Sequence, residues 1–236
     1  MKFLYIEDIA NPAARQWAET LTHAMQKQFD AIDADLLTAT RDADGFSLWL
    51  QEQSVDLIFI SCENDRRILQ RYLNACRSLR IPYVLLTDTM KKLELLAHYE
   101  TALHEVLAPV SMLEEEVHKG EILTFLGRFT GAHVTLLQAK DYGHRAERNV
   151  GRIRTFMEHQ GQTPQVVMAL RDSMSMHREL PDRQRELVPD MLVVTASREY
   201  GLDDLIFGPA ERWVAQRAQV PVMLLNPRGD LFTLCD

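Results

Sequence analysis

Short, continuous apolar runs alternate along the chain with longer stretches of helical periodicity, and this rhythm is the strongest constraint on the fold. Nine runs read as strands: 3–6, 31–37, 55–61, 81–87, 105–110, 132–138, 165–170, 190–196 and 220–226. Most are apolar at successive positions, which marks parallel strands covered on both faces rather than strands with one wet side. Helical patterns occupy 11–28, 64–79, 113–130, 144–160 and 209–218. The polar segment 171–189 is read as holding one more helix. Strand and helix in alternation predict an α/β fold with a parallel sheet.

The pattern repeats. "DLIFIS", a helix and "IPYVLLT" in the first half echo "DMLVVTA", a helix and "VPVMLLN" in the second, the second spacing being slightly longer. Each half also opens on a strand followed by an amphipathic helix, at Phe3 and at Val106. The first half is shorter by about one strand-helix unit. The expected organisation is therefore a shortened copy over 1–88, a connecting helix over 89–104, a full copy over 105–227 and a tail over 228–236.

Several function classes are disfavoured by composition. The net charge of -8 argues against general affinity for nucleic acid or anionic lipid. The three cysteines, Cys62, Cys76 and Cys235, form neither a disulfide framework nor a zinc spacing. The opening "MKFLYIEDIA" has too short an apolar run for a signal peptide, and no stretch approaches a membrane span. A cytoplasmic location is expected. The histidines lack metal-site spacing, and no G-x-S-x-G elbow occurs.

The segments "EVLAPVSMLEEEVHKGEILTFLGRFTGAHVTLLQ" and "DMLVVTASREYGLDDLIFGPAERWVAQRAQVPVMLL" resemble the universal stress protein family over roughly residues 105–227. The resemblance implies two Rossmann-like parallel sheets with helices on both faces. It also implies that the two copies pack through their last strands as a pseudo-dimer within one chain, the protein being a monomer or a homodimer of such chains. Nucleotide-binding members of that family use an aspartate after the first strand and a glycine-rich loop after the fourth. Glycines let backbone N–H groups approach phosphates at a helix N-terminus.

Carried onto this sequence, the aspartate position falls on Ser111, and the first two loop glycines fall on Thr195 and Arg198. Gly201 and Gly208 remain, but Pro209 follows where a hydroxyl residue belongs and offers no N–H. Ser197 adds a hydroxyl donor to the same loop. Ser111, Thr195, Ser197, Arg198, Gly201 and Gly208 thus outline a degenerate nucleotide cleft. The favoured reading is a non-enzymatic stress-response protein that holds no cofactor and acts through an unidentified protein partner or small ligand. The alternative is a protein binding ATP or another adenine nucleotide, with slow hydrolysis at most.

A second alternative, a receiver-like pseudo-domain in the first half, rests on Glu7 and Asp8 after the first strand and Thr87 after "IPYVLL". Ser61 and Cys62 stand where a receiver needs its phosphate-accepting aspartate. Among lesser features, Cys62 reads as a small buried residue, and the acidic run "EEEVHKGE" (114–121) as a solvated helix face suited to the helix dipole. Met168, Met174 and Met176 read as core filler, with the lining of a cleft as the alternative.

Overall fold

A computed structural model of the chain describes residues 2–25, 27–33, 48–50, 55–77, 79, 81–97, 103–196 and 209–226. The apolar runs read as strands coincide with β1 (Lys2–Glu7), β2 (Gln28–Asp33), β3 (Val55–Cys62), β4 (Tyr83–Thr87), β5 (Glu105–Val110), β6 (His133–Lys140), β7 (Gln165–Asp172), β8 (Met191–Thr195) and β9 (Val222–Leu225), with 34–37 of the second run outside the described residues. The helices whose ends fall within the described residues are α1 (Pro12–Ala24), α2 (Arg66–Cys76), α3 (Lys92–Leu96), α4 (Lys119–Thr130), α5 (Arg145–His159), α6 (Leu180–Leu187) and α7 (Ala210–Arg217).

Local chemistry explains where the helices start and stop. Asn11 caps α1 by accepting from the Ala14 N–H at 3.1 Å, with Pro12 in the first turn. Asp65 caps α2, accepting from the Arg67 and Ile68 N–H groups at 2.7 and 3.1 Å. Those bonds hold the Asp65 carboxyl below its ordinary pKa. Gly131 ends α4 in the left-handed conformation, φ 75°, where a side chain would be strained.

The strands form one sheet in the order β2-β1-β3-β4-β9-β8-β5-β6-β7. Neighbours are parallel except at the centre, where β4 and β9 run antiparallel. This corrects the expectation of two separate sheets. The last strands of the two halves meet edge to edge, hydrogen-bond, and close what would otherwise be two open sheet edges. Tyr83 lies opposite Leu224, Val84 opposite Met223 and Leu85 opposite Val222. One buried cluster of apolar side chains continues through both halves, with Trp17 and Phe59 edge-to-face at 6.1 Å in the first.

The expected connecting helix over 89–104 lies partly outside the described residues. Among its described residues Lys92–Leu96 is helical and Leu103 is buried, and 98–102 lie outside the described residues. Lys92 then ties the connection to the second half. Its Nζ donates to the Val188 and Pro189 carbonyls at 2.8 and 2.7 Å and pairs with Asp190 at 2.7 Å. Asp190, 4% exposed, also accepts from the backbone N–H groups of His104 and Glu105.

Candidate functional site

In the second half the chain leaves β5 toward β6 and β7, then returns to β8 on the opposite side of β5. The strand order therefore reverses between β5 and β8, and ligands of open α/β sheets lie in such crevices beyond the carboxyl ends of the strands. A cleft of about 750 Å³ occupies this place, walled by Pro109, Ser111, Thr195, His177, Trp213 and neighbouring side chains.

Two residues singled out in the sequence, Ser111 and Thr195, meet here. They meet through a third residue that the sequence reading set aside. Ser111 Oγ donates to Glu116 Oε1 at 2.7 Å, and Thr195 Oγ1 donates to Glu116 Oε2 at 3.2 Å. Lys119 Nζ closes the cluster, donating to Glu116 Oε2 and to the Pro109 carbonyl. Glu116 is 5% exposed and Lys119 1%. The acidic run 114–121 is thus not a purely solvated face: its first part is a 3-10 turn, Glu114–His118, that turns Glu116 inward beneath α4. Burial is the main influence on Lys119, lowering its pKa, and the Glu116 carboxylate works against that.

The loop after β5 is held rigidly. Buried Asn149 of α5 donates to the Ser111 and Leu113 carbonyls at 3.0 and 2.7 Å, and the Met112 N–H donates to Ser173 Oγ at 2.9 Å. On the opposite wall, His177 and Trp213 stack edge-to-face at 5.5 Å, with Arg217 over the indole at 4.2 Å. Burial, then the nearby Arg178 charge, lowers the His177 pKa. Met174 and Met176 line the cleft, whereas Met168 and Met174 are 52% and 75% exposed. Core filling therefore describes Met176 alone of the three.

Ser197, Arg198, Gly201 and Gly208 lie outside the described residues. Pro209 sits at the N-cap of α7 with φ -65° and ψ 149°, one position before the helical turn where the sequence placed it. Its carbonyl still accepts from the Arg212 and Trp213 N–H groups.

The corresponding crevice of the first half, between β1 and β3, is closed by backbone. The Asp8 and Ile9 N–H groups both donate to the Ser61 carbonyl, and Ser61 Oγ donates to the Ile9 carbonyl at 3.1 Å. Glu7 and Asp8 are ion-paired rather than simply solvated, with Arg15 at 3.8 Å and Arg71 at 3.4 Å. Cys62 is fully buried, and burial first, then the charges of Asp8 and Asp88, pushes its thiol up to about 12. It is inert where the sequence reads it as a small core residue. Among the described residues no group of three or more His, Cys, Asp or Glu side chains could hold a metal ion, and no helix is long and apolar enough to cross a membrane.

No protein-family model and no curated protein sequence matches the chain significantly. Solved structures do. A universal stress protein from Archaeoglobus fulgidus DSM 4304 superposes with a TM-score of 0.60 at 12% identity, over 98% of this chain and 88% of that one. A protein of unknown function from Pseudomonas aeruginosa PAO1 gives 0.62 at 16% identity, over 99% and 94%. A provisionally assigned universal stress protein from Pseudomonas aeruginosa UCBPP-PA14 gives 0.52 at 15%, over 98% and 84%. The similarity spans both halves, and at these identities what is shared is architecture: the chain has the universal stress protein fold.

Proposed function

We propose that this chain is a non-enzymatic, universal stress protein-like scaffold, made of two copies joined as an intrachain pseudo-dimer, in which adenine-nucleotide binding is weak or lost. It acts in the stress response through protein contacts or a small ligand other than a nucleotide. The copies divide at the connection 89–104, leaving 1–88 as the shortened one. The β4–β9 register supports the pseudo-dimer. About the central Val84–Met223 pair, Tyr83 with Leu224 and Leu85 with Val222 are exchanged by a two-fold rotation, as in an isologous interface.

The observation that carries the functional reading is the Glu116 carboxylate at the β5–β8 crevice. Ser111 and Thr195, the residues aligned with nucleotide-contacting positions, both spend their hydroxyls on it, and Lys119 neutralises it. A ligand that takes up either hydroxyl has to compete with the Glu116 carboxylate for it, and one that separates Glu116 from Lys119 leaves a buried charge without its partner, a cost of about 3–5 kcal/mol. The alternative, an adenine-nucleotide-binding protein, rests on the size of the cleft and its place at the strand-order reversal. A receiver-like role is disfavoured because the crevice of the first half is sealed by Ser61, Asp8 and Ile9.

Calorimetric titration with adenosine and AMP tests this reading, since neither carries the polyphosphate that a basic surface would attract. The expected result is no measurable binding up to about 1 mM. Micromolar binding that is lost on placing a bulky side chain at Thr195 (Thr195→Trp) would overturn it.

A further inference from the structure

Among the described residues β7 is the last strand in the order of the sheet, so one side of its backbone faces no neighbouring strand. Such an edge is a template on which another chain can add a strand. Side chains along it are apolar and exposed: Val166 at 37%, Met168 at 52% and Leu170 at 69%. From Gln165 to Leu170 the strand carries no charge and no proline, the residues that commonly blunt an edge.

The backbone of β7 is covered from outside the strand instead. Between the Gln138–Met168 and Lys140–Asp172 pairs β6 advances two residues while β7 advances four, a bulge in the edge strand. There the Leu170 and Arg171 N–H groups both donate to Glu179 Oε2, at 3.0 and 2.8 Å. Glu179 ends the 3-10 turn Met176–Glu179 and is 4% exposed, although the strand beside it is open. Four residues on, in α6, Arg183 Nη2 donates to the Met168 carbonyl at 3.2 Å, and its Nε pairs with Glu179 Oε1 at 3.0 Å. Glu186 holds the same guanidinium through Nη1 at 2.7 Å.

An exposed ion pair at this spacing would contribute little. This one is enclosed, and its two charges match the two kinds of backbone group on the edge: the carboxylate takes donors and the guanidinium takes an acceptor. They stand where the carbonyl and N–H groups of an added strand would have to bond. The last strands of the two halves close their edges by pairing antiparallel. β7 is closed by side chains.

We propose that Glu179 and Arg183 plug the β7 edge and thereby keep a second copy of this chain from adding its own β7 to the sheet. A second copy is the partner this edge fits. Two β7 strands related by a two-fold axis run antiparallel, as β4 and β9 do, and bring Val166 and Met168 of one against those of the other. Each chain spends its β7 in that pairing, so association stops at two.

Sedimentation velocity on the full chain is the test. Glu179→Ala/Arg183→Ala removes both charges together, so neither is left buried alone, and it frees the Met168 carbonyl and the Leu170 and Arg171 N–H groups. The expected result is a concentration-dependent shift to twice the wild-type mass. Adding Met168→Lys to that background puts a charge on the opened edge at a half-exposed position, and the mass is expected to return to the wild-type value. That third substitution separates strand addition from aggregation of a chain that fails to fold, which one surface lysine does not reverse. A double variant that keeps the wild-type mass, association that survives Met168→Lys, or a spread of larger aggregates would each overturn the proposal.

Discussion

At the scale of single residues the decisive pair is Glu116 and Lys119. Their burial was partly legible, since Lys119, Leu123 and Leu126 recur at helical spacing, and Glu116 stands one turn before them. Leu123 and Leu126 are buried on the same stripe. What hid the pair is the surrounding charge, Glu114, Glu115 and Glu121, which reads as a wet helix start. Removing one partner leaves an uncompensated buried charge, so Lys119→Met is expected to cost about 3–5 kcal/mol in urea denaturation. Glu116→Gln/Lys119→Met keeps an acceptor for Ser111 and Thr195 and removes both charges, and should stay within about 1 kcal/mol of the wild type. The pH dependence has a definite sign. Burial depresses the Lys119 pKa below 10.5, so between that depressed value and 10.5 the unfolded chain binds more protons. Stability of the wild type relative to the double variant should therefore rise with pH across that window and stay level below the depressed value, where both states hold the proton. A flat difference would count against the buried lysine.

At the scale of elements, the apolar runs located every strand to within a few residues, because parallel strands covered on both faces leave little ambiguity of register. Helix ends were less legible. The pattern over 113–130 resolves into a 3-10 turn and α4. Periodicity reports which face is apolar, not where hydrogen bonding changes from one type to another. The end of α6 illustrates a local conflict. Val188 caps it at φ 46° and ψ 46°, in the left-handed region that suits glycine and strains a β-branched side chain. Since Val188 is 57% exposed, Val188→Gly loses little packing. It is expected to stabilise the protein by about 1 kcal/mol, raising Tm by roughly 2–4 °C in a thermal melt. A lower Tm would mean that the valine contributes contacts outweighing its backbone strain.

At the scale of the whole molecule, the halves are joined by more than the β4–β9 ladder. Asn64 Nδ2 donates to the Gln216 carbonyl at 2.9 Å, and Asn226 Nδ2 donates to the Cys76 and Leu79 carbonyls at 2.6 and 2.8 Å. Each bond crosses between segments far apart in sequence. With a continuous core beneath them, the halves are expected to unfold together. Calorimetry should show one transition with matching calorimetric and van't Hoff enthalpies. Two resolved transitions would make them independent units.

The sequence by itself determined the class of fold, the nine strands, the repeated strand-helix-strand units and the second-half segments that resemble universal stress proteins. These are properties of local composition and period, which each segment carries with it. It also located Ser111 and Thr195 by alignment of motifs. Only the tertiary structure decided that the last strands fuse two sheets into one and that Glu116 and Lys119 turn inward to meet those two hydroxyls. It likewise decided that Glu179 and Arg183 cover the β7 edge. Each of these depends on residues of different elements, and a buried ion pair or a covered strand edge has no periodicity to announce it. The partners of a charge are set by what the fold brings beside it.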